Sequence, residues 1–599
     1  MDKYEALYNI KSPSDIKGKK VDELKSLASL IREFILDKVS ANGGHLSSNL
    51  GTIEAVIALH YVFNSPVDKI IFDVGHQCYT HKILTGRSKD FDNLRKLNGL
   101  NGFPKYNESE HDAFEVGHSS TAISALCGFL EDKKLNNEKT GEVIAFVGDG
   151  ALQSGLSLAG LNFLATLNQE KGIIIVNDND MSISPNVGGL ARTFNKLRIK
   201  NSFKLVRKFT TVKFRERLKA MVYRNVNLFS SLKYTYIGPI DGHDIPTLVK
   251  YFNYAKKSSS TIVIHIKTIK GKGYEFAEND KNGKYHGIGP FDLQTGDVKT
   301  KPKEGTISFS EAVGDAMLSK MDKYSNLAII TPAMIYGAGL SKAKDKYPER
   351  VIDVGICEEN AVVMASSMAR GSTIPVVASY STFMQRSYDE LSHDIARSNT
   401  KSIFLLDRAG IVPADGDTHQ GIFDIPMLYT LPNFVITAPS NIKEIDDLLE
   451  IAIKGNNPFV LRYPKSSISK DINSKETYFG KWKEELEINK TNILTYGPEV
   501  NEFKELITKY NKNVGLINAL FIKPIDEEML KRLDNKELII YENVYKDGSL
   551  ANIIASYILD NNLNIKVKRY SLDAIPECGT INELRDKYNL NIENIVKGL

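Results

Sequence analysis

The chain has 599 residues, of which 42% are hydrophobic and 25% are charged, and its formal net charge is +4. This balance is typical of folded globular proteins and excludes a disordered or collagen-like chain. The sequence has no long apolar run and no apolar core near its start, so we expect neither a transmembrane helix nor a signal peptide. Its four cysteines include no CxxC pair, which predicts a cytoplasmic protein rather than a disulfide-stabilised one.

The positive charge is concentrated in one segment. Between Arg192 and Arg224, twelve Lys and Arg residues accompany a single acidic residue, Glu216. A basic segment can bind nucleic acid or a membrane surface, but a solvated helical excursion is the simpler interpretation. Because no nucleic-acid motif is present, we expect neither a nucleic-acid partner nor a membrane partner.

Short apolar runs alternate with helical stretches along the first half of the chain. Strands are predicted at 69–75, 142–148, 172–178, 234–238 and 261–268. Apolar runs separated by helices are typical of buried parallel strands. The segment 296–306 is polar and contains Pro and Gly, which indicates a linker.

Two further series of strands follow this linker. Those of the second series are predicted at 327–331, 351–356, 374–381, 402–407, 434–440 and 459–463. Those of the third series, after a polar stretch, are predicted at 492–497, 513–518, 537–542 and 565–571. The chain is therefore predicted to form three doubly wound, mostly parallel α/β domains, at 1–298, 307–468 and 482–599.

Polar residues follow two neighbouring strands of the first series. Gly148, Asp149 and Gly150 come after one strand, and Asn179 comes after the next. The glycines allow the backbone to approach an anion, and the helix that follows adds amide donors. Asp149 and Asn179 carry the oxygen ligands that Mg²⁺ prefers, and Mg²⁺ in proteins usually holds phosphates. A lone Gly-Asp-Gly is more often a turn, but its pairing with Asn179 across one helix is a stronger signal.

These two segments resemble the diphosphate motif of thiamine-diphosphate enzymes of the transketolase type. The segments "GGHLSSNLG" (43–51), "DVGHQCYTHKILTGR" (73–87), "VGHSSTAISA" (116–125) and "DRAGIVPADGDTHQG" (407–421) resemble the 1-deoxy-D-xylulose-5-phosphate synthase family. The resemblance covers most of the chain, in the family's order. It implies a transferase of isoprenoid and thiamine biosynthesis with a transketolase-type fold, which uses thiamine diphosphate and Mg²⁺. It also implies a homodimer that condenses pyruvate with glyceraldehyde 3-phosphate to give 1-deoxy-D-xylulose 5-phosphate and CO₂.

The resemblance also assigns site residues by position. Its implied metal ligands are the side chains of Asp149 and Asn179 and the backbone carbonyl of Met181. Beyond these, the implied cofactor-binding residues are Gly117, His118, Ser119, Gly148, Gly150, Glu358 and Phe383. The implied substrate-binding residues are Tyr380, Arg386, Arg408, Asp415, His419 and Arg462.

Three histidines lie in Gly-rich or polar segments beside predicted strand ends. Imidazole is the natural proton carrier near neutral pH, so we predict that His45, His81 and His419 carry protons in the reaction. A structural hydrogen bond is the simpler alternative for any one of them, but three beside a metal-diphosphate motif weaken it. His76 and His286 also lie in family motifs and are expected to contact substrate or cofactor.

Arg408 and Arg462 each follow a predicted strand end. Two guanidinium groups can hold one phosphate through paired hydrogen bonds. The resemblance assigns both arginines, with Tyr380, to the phosphate of the aldehyde substrate. The alternative for each arginine is an ion pair with another part of the protein.

Two adjacent carboxylates, Glu358 and Glu359, follow the strand at 351–356. Alignment with the family implies that Glu358 hydrogen-bonds to the pyrimidine ring of the cofactor. Glu359 lies about 100° further around a helix, so we expect it to stabilise the helix terminus instead. The chain departs from the family's usual pattern at Asn360, where histidine is common, and at Lys465, where arginine is common. The segment 186–233 is also shorter than usual.

Two other functions remain open from the sequence. One is a related enzyme, such as a transketolase or a 2-oxoacid enzyme with a different acyl acceptor. The other is a non-catalytic paralogue that binds a cofactor or a partner. The presence of Asp149, Asn179, Glu358 and His45 argues against the paralogue.

Overall fold

The computed structural model describes residues 2–136, 141–167, 170–179, 189, 228–300, 303–470 and 474–599. The chain forms two compact units. The first comprises Met1–Arg95 and Gly99–Thr300, and the second comprises Lys96–Asn98 and Lys301–Leu599. The basic segment 192–224 and the predicted ligand Met181 lie outside the described residues. None of the helices in the described ranges is long and apolar enough to cross a membrane.

Every strand predicted from the sequence is present, together with four short strands, within the described ranges, that were not predicted. The strands of the first unit are β1 (Lys69–Phe72), β2 (Val143–Gly148), β3 (Ile173–Asp178), β4 (Thr235–Asp241) and β5 (Ile262–Lys267). The strands of the second unit are β6 (Thr306–Ser308), β7 (Leu327–Thr331), β8 (Val351–Asp353), β9 (Ile374–Tyr380), β10 (Ile403–Asp407), β11 (Val435–Thr437), β12 (Phe459–Arg462), β13 (Ser467–Ser469), β14 (Lys483–Leu486), β15 (Thr491–Thr495), β16 (Gly515–Asn518), β17 (Phe521–Lys523), β18 (Glu537–Tyr545) and β19 (Lys566–Leu572).

Helices separate the strands in both units. The α-helices described in the first unit are Glu5–Tyr8, Val21–Asn42, Leu46–Val62, Tyr79–Lys82, Ala122–Asn136, Gly155–Leu164, Leu228–Ser231, Ile245–Lys257 and Glu275–Glu278. Those described in the second unit are Phe309–Lys323, Ser341–Lys346, Glu358–Met368, Ser381–Met384, Tyr388–Glu390, Asp424–Tyr429, Ile442–Lys454, Glu499–Lys509, Glu527–Arg532, Leu550–Asp560, Ile581–Lys587 and Ile592–Lys597. Short 3₁₀ or π turns occur at Pro13–Ile16, Ile83–Arg87, Ser88–Asn93, Ala151–Gln153, Gln385–Ser387, Leu391–Ala396 and Asp417–His419.

The first unit is built on a five-stranded parallel sheet in the order β1-β2-β3-β5-β4. Alternate side chains of its strands enter two separate hydrophobic cores. One core includes residues of helices Leu46–Val62 and Ile245–Lys257, and the other includes residues of helices Ala122–Asn136 and Gly155–Leu164. Helices therefore cover both faces, which explains why the strands are apolar at nearly every position.

The second unit contains two larger sheets and a two-stranded one. The seven-stranded sheet has the order β17-β11-β12-β10-β9-β7-β8, and the five-stranded sheet has the order β14-β16-β15-β18-β19. Only the edge strands β17 and β14 run antiparallel in these two sheets. The mostly parallel α/β class predicted from the sequence is confirmed. Strand β17 comes from the predicted third domain but joins the sheet of the second, and the domain limits stay a prediction.

Candidate active site

The carboxyl edge of the first sheet carries the predicted magnesium ligands. Gly148 of β2 pairs in register with Asn177 of β3, so Asp149 and Asn179 leave the sheet at the same edge. Asp149 is buried, and one of its carboxylate oxygens accepts the backbone N–H of Gly150 at 3.0 Å. No cluster of three or more His, Cys, Asp or Glu side chains that could hold a metal occurs in the parts of the chain that the structure describes. The side-chain oxygens of Asp149 and Asn179 are of the kind that bind Mg²⁺ together with phosphates.

Lys270 lies at the same edge, after β5, and was not predicted from the sequence. Burial lowers the pKa of its ammonium group to about 8, and the nearby Asp149 opposes this effect. The segment is anchored by Thr268, whose hydroxyl donates to Oδ1 of Asn177 at 2.7 Å. A partly buried cation beside a magnesium-type carboxylate suits the binding of a phosphate group. In the sequence, Lys270 is distinguished only by its position between a strand end and two glycines, which is a weak indication of a functional residue.

Three histidines form a group in the first unit. The ring centroid of His45 lies 5.7 Å from that of His76 and 6.0 Å from that of His286, and the last two lie 5.1 Å apart. Phe103 packs edge-on against His45 at 5.1 Å. A backbone bridge between Gly44 and Ile288 brings the His286 segment to the His45 segment. From the sequence, His76 and His286 were expected to contact substrate or cofactor, but the role of carrying protons was not predicted for them.

His81 does not belong to this group. It lies in the helix Tyr79–Lys82 rather than in a loop, and it is buried. Its Nδ1 is 2.9 Å from Nε2 of His60, and its Nε2 is 2.8 Å from Oδ1 of Asp112. Burial lowers the pKa of His81 to about 4, despite the hydrogen bond to Asp112, which raises it. Both ring nitrogens of His81 serve a buried network, and its proton-carrying role stays a prediction. We propose His76, which lies beside His45, as the alternative proton carrier.

The proposal that His76 rather than His81 carries protons predicts opposite consequences for two substitutions. His76→Ala should lower kcat by roughly 10²-fold or more, the usual contribution of a positioned proton carrier. His81→Ala should lower the melting temperature, because it removes the buried hydrogen bonds that the His81 ring makes with Asp112 and His60, while the folded enzyme keeps most of its kcat. Steady-state kinetics and thermal scans of both variants check this. A larger loss of kcat for His81→Ala would instead favour His81 as the proton carrier.

The segment Gly117–Ser119 is held at the same sheet edge. Asp73 follows β1, and its carboxylate accepts the backbone N–H groups of Ser120 at 2.7 Å and Ala122 at 3.1 Å. Ser120 adopts a left-handed φ of 76°. Asp73 thus caps the helix Ala122–Asn136 and fixes the predicted cofactor-binding residues Gly117, His118 and Ser119 beside its N-terminus.

Glu358 begins the helix Glu358–Met368 in the second unit and is buried. Its Oε2 accepts no hydrogen bond from any residue in the described ranges, and Nη1 of Arg386 lies 3.9 Å away. Burial raises the pKa of this carboxyl to about 7, although Arg386 opposes the shift. A buried carboxyl that titrates near neutral pH can share a proton with a ring nitrogen of a ligand. Glu359 is only partly buried.

The raised pKa of Glu358 predicts a pH-dependent cost to stability. Its pKa is about 7 in the folded protein, compared with an ordinary value of 4.5 for a glutamate carboxyl. Stability is therefore lost as the pH rises from about 4.5 through 7, because the folded state holds the proton more tightly than the unfolded state. Glu358→Gln should raise the melting temperature of the cofactor-free protein at pH 8 but not at pH 4.5, relative to the wild type. The effect at pH 8 corresponds to at most roughly 3 kcal/mol.

Thermal scans at both pH values test this cost, with Glu359→Gln as the matched control. Equal shifts at pH 4.5 and pH 8 for Glu358→Gln would contradict the raised pKa.

Four predicted residues of the second unit lie together. The ring of Tyr380 stacks on Phe383 at 5.3 Å, and Phe383 packs edge-on against His419 at 5.6 Å. The guanidinium of Arg408 lies 3.6 Å from the centre of the Tyr380 ring. Arg408 has a left-handed φ of 59° and pairs with the adjacent Asp407 at 3.0 Å. The arrangement combines an aromatic surface, an imidazole and a guanidinium.

Arg462 has a different environment from the one predicted. It is buried, and its Nε donates to Oδ2 of Asp424 at 2.7 Å. Its Nη2 donates to Oδ1 of the same carboxylate at 3.3 Å. This is the ion pair that the sequence left as the alternative, and it uses Nε and Nη2 of Arg462. The phosphate role of Arg462 stays a prediction. Asp415 pairs with Lys465 at 2.5 Å.

Comparisons with known proteins cover the whole chain. Residues 7–268 match a family model described as 1-deoxy-D-xylulose-5-phosphate synthase. Residues 305–470 match the transketolase pyrimidine binding domain, and residues 480–595 match the transketolase C-terminal domain.

Individual relatives span nearly the same length as this chain. The 1-deoxy-D-xylulose-5-phosphate synthase of Clostridium tetani is 42% identical over 100% of this chain and 98% of that protein. The one from Clostridium acetobutylicum is 40% identical over 99% of each chain. Among solved structures, transketolase from Campylobacter jejuni is similar with a TM-score of 0.43 and 18% identity, over 97% of this chain and 99% of that one.

Proposed function

The chain belongs to the 1-deoxy-D-xylulose-5-phosphate synthase family, and from this premise we propose that it condenses pyruvate with D-glyceraldehyde 3-phosphate to give 1-deoxy-D-xylulose 5-phosphate and CO₂. The observation that carries the proposal is the state of Glu358. This carboxyl is buried, its pKa is about 7, and its Oε2 accepts no hydrogen bond from the described parts of the chain. A carboxyl of this kind suits a proton shared with a bound heterocycle better than it suits a structural role.

The cofactors follow from the same premise. We propose thiamine diphosphate with Mg²⁺, held at the carboxyl edge of the first sheet by Asp149 and Asn179. The backbone of Gly148 and Gly150 would lie beside the diphosphate, and Lys270 would add positive charge to this edge. When bound, thiamine diphosphate supplies the stabilisation of negative charge on carbon that the decarboxylation requires.

The remaining chemistry falls to the protein's own residues. Glu358 would hold a proton at a ring nitrogen of the cofactor, and Phe383 offers a face on which the same ring can stack. His45 and His76, with His419, would accept and return protons during addition and release. Arg408, held over the Tyr380 ring, would bind the phosphate of glyceraldehyde 3-phosphate.

We propose a homodimer and a cytoplasmic location. Apolar side chains are exposed on two helices: Leu156 and Phe163 on Gly155–Leu164, and Val363 on Glu358–Met368. Exposed apolar side chains that lie on one helix, as Leu156 and Phe163 do, can form a surface that binds a partner. Sedimentation velocity at micromolar concentration should therefore give a dimer, and Phe163→Lys should shift the population towards monomer. A monomeric wild type would contradict the proposal.

A product assay tests the proposed activity. The protein is supplied with thiamine diphosphate, Mg²⁺, pyruvate and glyceraldehyde 3-phosphate, and the products are identified by mass spectrometry. A five-carbon deoxyketose phosphate together with released CO₂ supports the proposal. A transketolase would release no CO₂ from pyruvate, and acetolactate would indicate a different acceptor. Cofactor binding without any product would indicate a non-catalytic paralogue.

A further inference from the structure

We infer that Asn49 and Tyr79 form a clamp that fixes the positions of His45 and His76 relative to each other, and that turnover depends on this clamp. Neither residue is expected to touch substrate or cofactor, so both are positioning residues. The catalytic consequence rests on the proposed function, whereas the clamp itself does not.

The side-chain amide of Asn49 joins the two histidine segments. Its Nδ2 donates to the backbone carbonyl of His45 at 2.6 Å and to the backbone carbonyl of His76 at 2.8 Å. Its Oδ1 accepts the backbone N–H of Tyr79 at 2.8 Å. Both N–H donors and the carbonyl oxygen are therefore used, which is the full bonding pattern that a primary amide can offer a backbone.

Tyr79 completes the set of hydrogen bonds between the two histidine segments. Its hydroxyl accepts the backbone N–H of His45 at 3.1 Å. Each histidine segment is thus bonded to the clamp, and the two clamp residues are bonded to each other. Asn49 and Tyr79 are both fully buried, so water cannot replace these bonds if one partner is lost.

The backbone beside both histidine segments has conformations that accommodate these hydrogen bonds. Gly44 has a φ of 148°, and a Cβ at that position would lie 2.7 Å from the Tyr79 hydroxyl oxygen. Val74, just before the His76 segment, has a φ of 61° in a turn where Gly75 N–H bonds to the Asp73 carbonyl at 2.7 Å. A left-handed conformation is costly for a β-branched residue and persists only where its surroundings hold it. We attribute part of that restraint to the bond between Asn49 and the His76 carbonyl.

The restraint matters because proton transfer depends steeply on geometry. His45 and His76 come from two segments that are distant in sequence, and their rings lie 5.7 Å apart between centroids. A displacement of about 1 Å in a reacting group can cost roughly 10²-fold in rate. Loss of the clamp should therefore lower kcat more than it raises KM.

Hydrogen exchange with mass spectrometry tests the clamp without reference to activity. Asn49→Ala should accelerate exchange in the His45 segment and in the His76 segment. Tyr79→Phe, the milder change, removes the acceptor for the His45 N–H, and it should also accelerate exchange around His76. Acceleration confined to the segment that directly loses a bond would overturn the clamp.

A buried asparagine elsewhere provides the matched control. Asn492 is fully buried, and its amide donates to the Asn489 carbonyl at 2.8 Å and accepts the Asn489 N–H at 2.8 Å. Asn492→Ala should lower stability without changing exchange in either histidine segment, and the folded enzyme should keep its kcat.

Kinetics test the catalytic consequence. Asn49→Ala should lower kcat by roughly 10²-fold, and Tyr79→Phe should lower it by a smaller factor. In both variants the KM for pyruvate should be nearly unchanged. In a His45→Ala background, Asn49→Ala should cause little further loss, because it acts through that histidine. Full additivity, or an unchanged kcat despite faster exchange, would overturn the positioning role. An inactive wild type would refute the proposed function, while the exchange experiment would still decide the clamp.

Discussion

Glu358→Ala is expected to abolish turnover, and Glu358→Gln is expected to lower kcat by roughly 10²–10⁴-fold, the range for a lost acid–base group. Glutamine keeps the shape of the side chain and can still donate a hydrogen bond, but it cannot exchange a proton. The carboxyl of Glu358 can, because its pKa is about 7. The measurement is steady-state product formation at saturating thiamine diphosphate and Mg²⁺.

The adjacent carboxylate supplies the control. Glu359 occupies the same first helical turn as Glu358, is less buried, and lies about 100° further around the helix axis. Glu359→Ala should therefore retain most of the activity. Equal losses from Glu358→Ala and Glu359→Ala would show that the first helical turn acts only through its total charge.

Cofactor affinity separates two possible causes of a low kcat. If Glu358 acts by holding a proton, Glu358→Gln should bind thiamine diphosphate with an affinity close to that of the wild type, measured by quenching of protein fluorescence. A loss of affinity as large as the loss of kcat would instead make Glu358 a binding residue.

The fold could be predicted from the sequence to the extent that its strands are buried on both faces. Residues Val143–Val147 of β2 are all buried, so an uninterrupted apolar run was a sufficient signal. Three of the four strands that were missed carry no such run. Strands β6 and β13 have three residues each, with no buried residue in β6 and one in β13, and β14 has the polar sequence Lys-Glu-Glu-Leu. Their pairing depends on tertiary contacts rather than on local pattern.

The site could be predicted where its geometry is local. Asp149 and Asn179 each follow a strand by one residue, and the parallel register of β2 and β3 places them together. The different environments of His76 and His81 could not be predicted from the local sequence. Both stand in one short motif, but the turn at Val74 directs one segment to His45, while the other histidine packs against His60 in the interior. The ion pair of Arg462 could not be predicted for a related reason, because its partner Asp424 lies elsewhere in the sequence.

Asp149→Asn is expected to weaken Mg²⁺-dependent binding of thiamine diphosphate by at least about 10²-fold. Loss of an outer-sphere partner of a metal site costs roughly 10–100-fold in affinity, and loss of a direct ligand should cost no less. The substitution keeps the size of the side chain but removes the charge that the metal requires. Calorimetric titration of the cofactor with and without Mg²⁺ measures the effect, and the variant should show little difference between the two conditions.

Asp178 is the matched control for this experiment. It is buried at the end of β3, and its Oδ2 lies 2.7 Å from Nε2 of His265. Because that carboxylate is engaged within the core, Asp178→Asn should lower the melting temperature and leave the Mg²⁺ dependence of cofactor binding intact. The opposite pattern, with Mg²⁺ dependence lost in Asp178→Asn and kept in Asp149→Asn, would make Asp178 rather than Asp149 the carboxylate ligand of the metal. The two carboxylates are neighbours at one sheet edge, so their difference tests the assignment of the ligand and not merely the presence of negative charge.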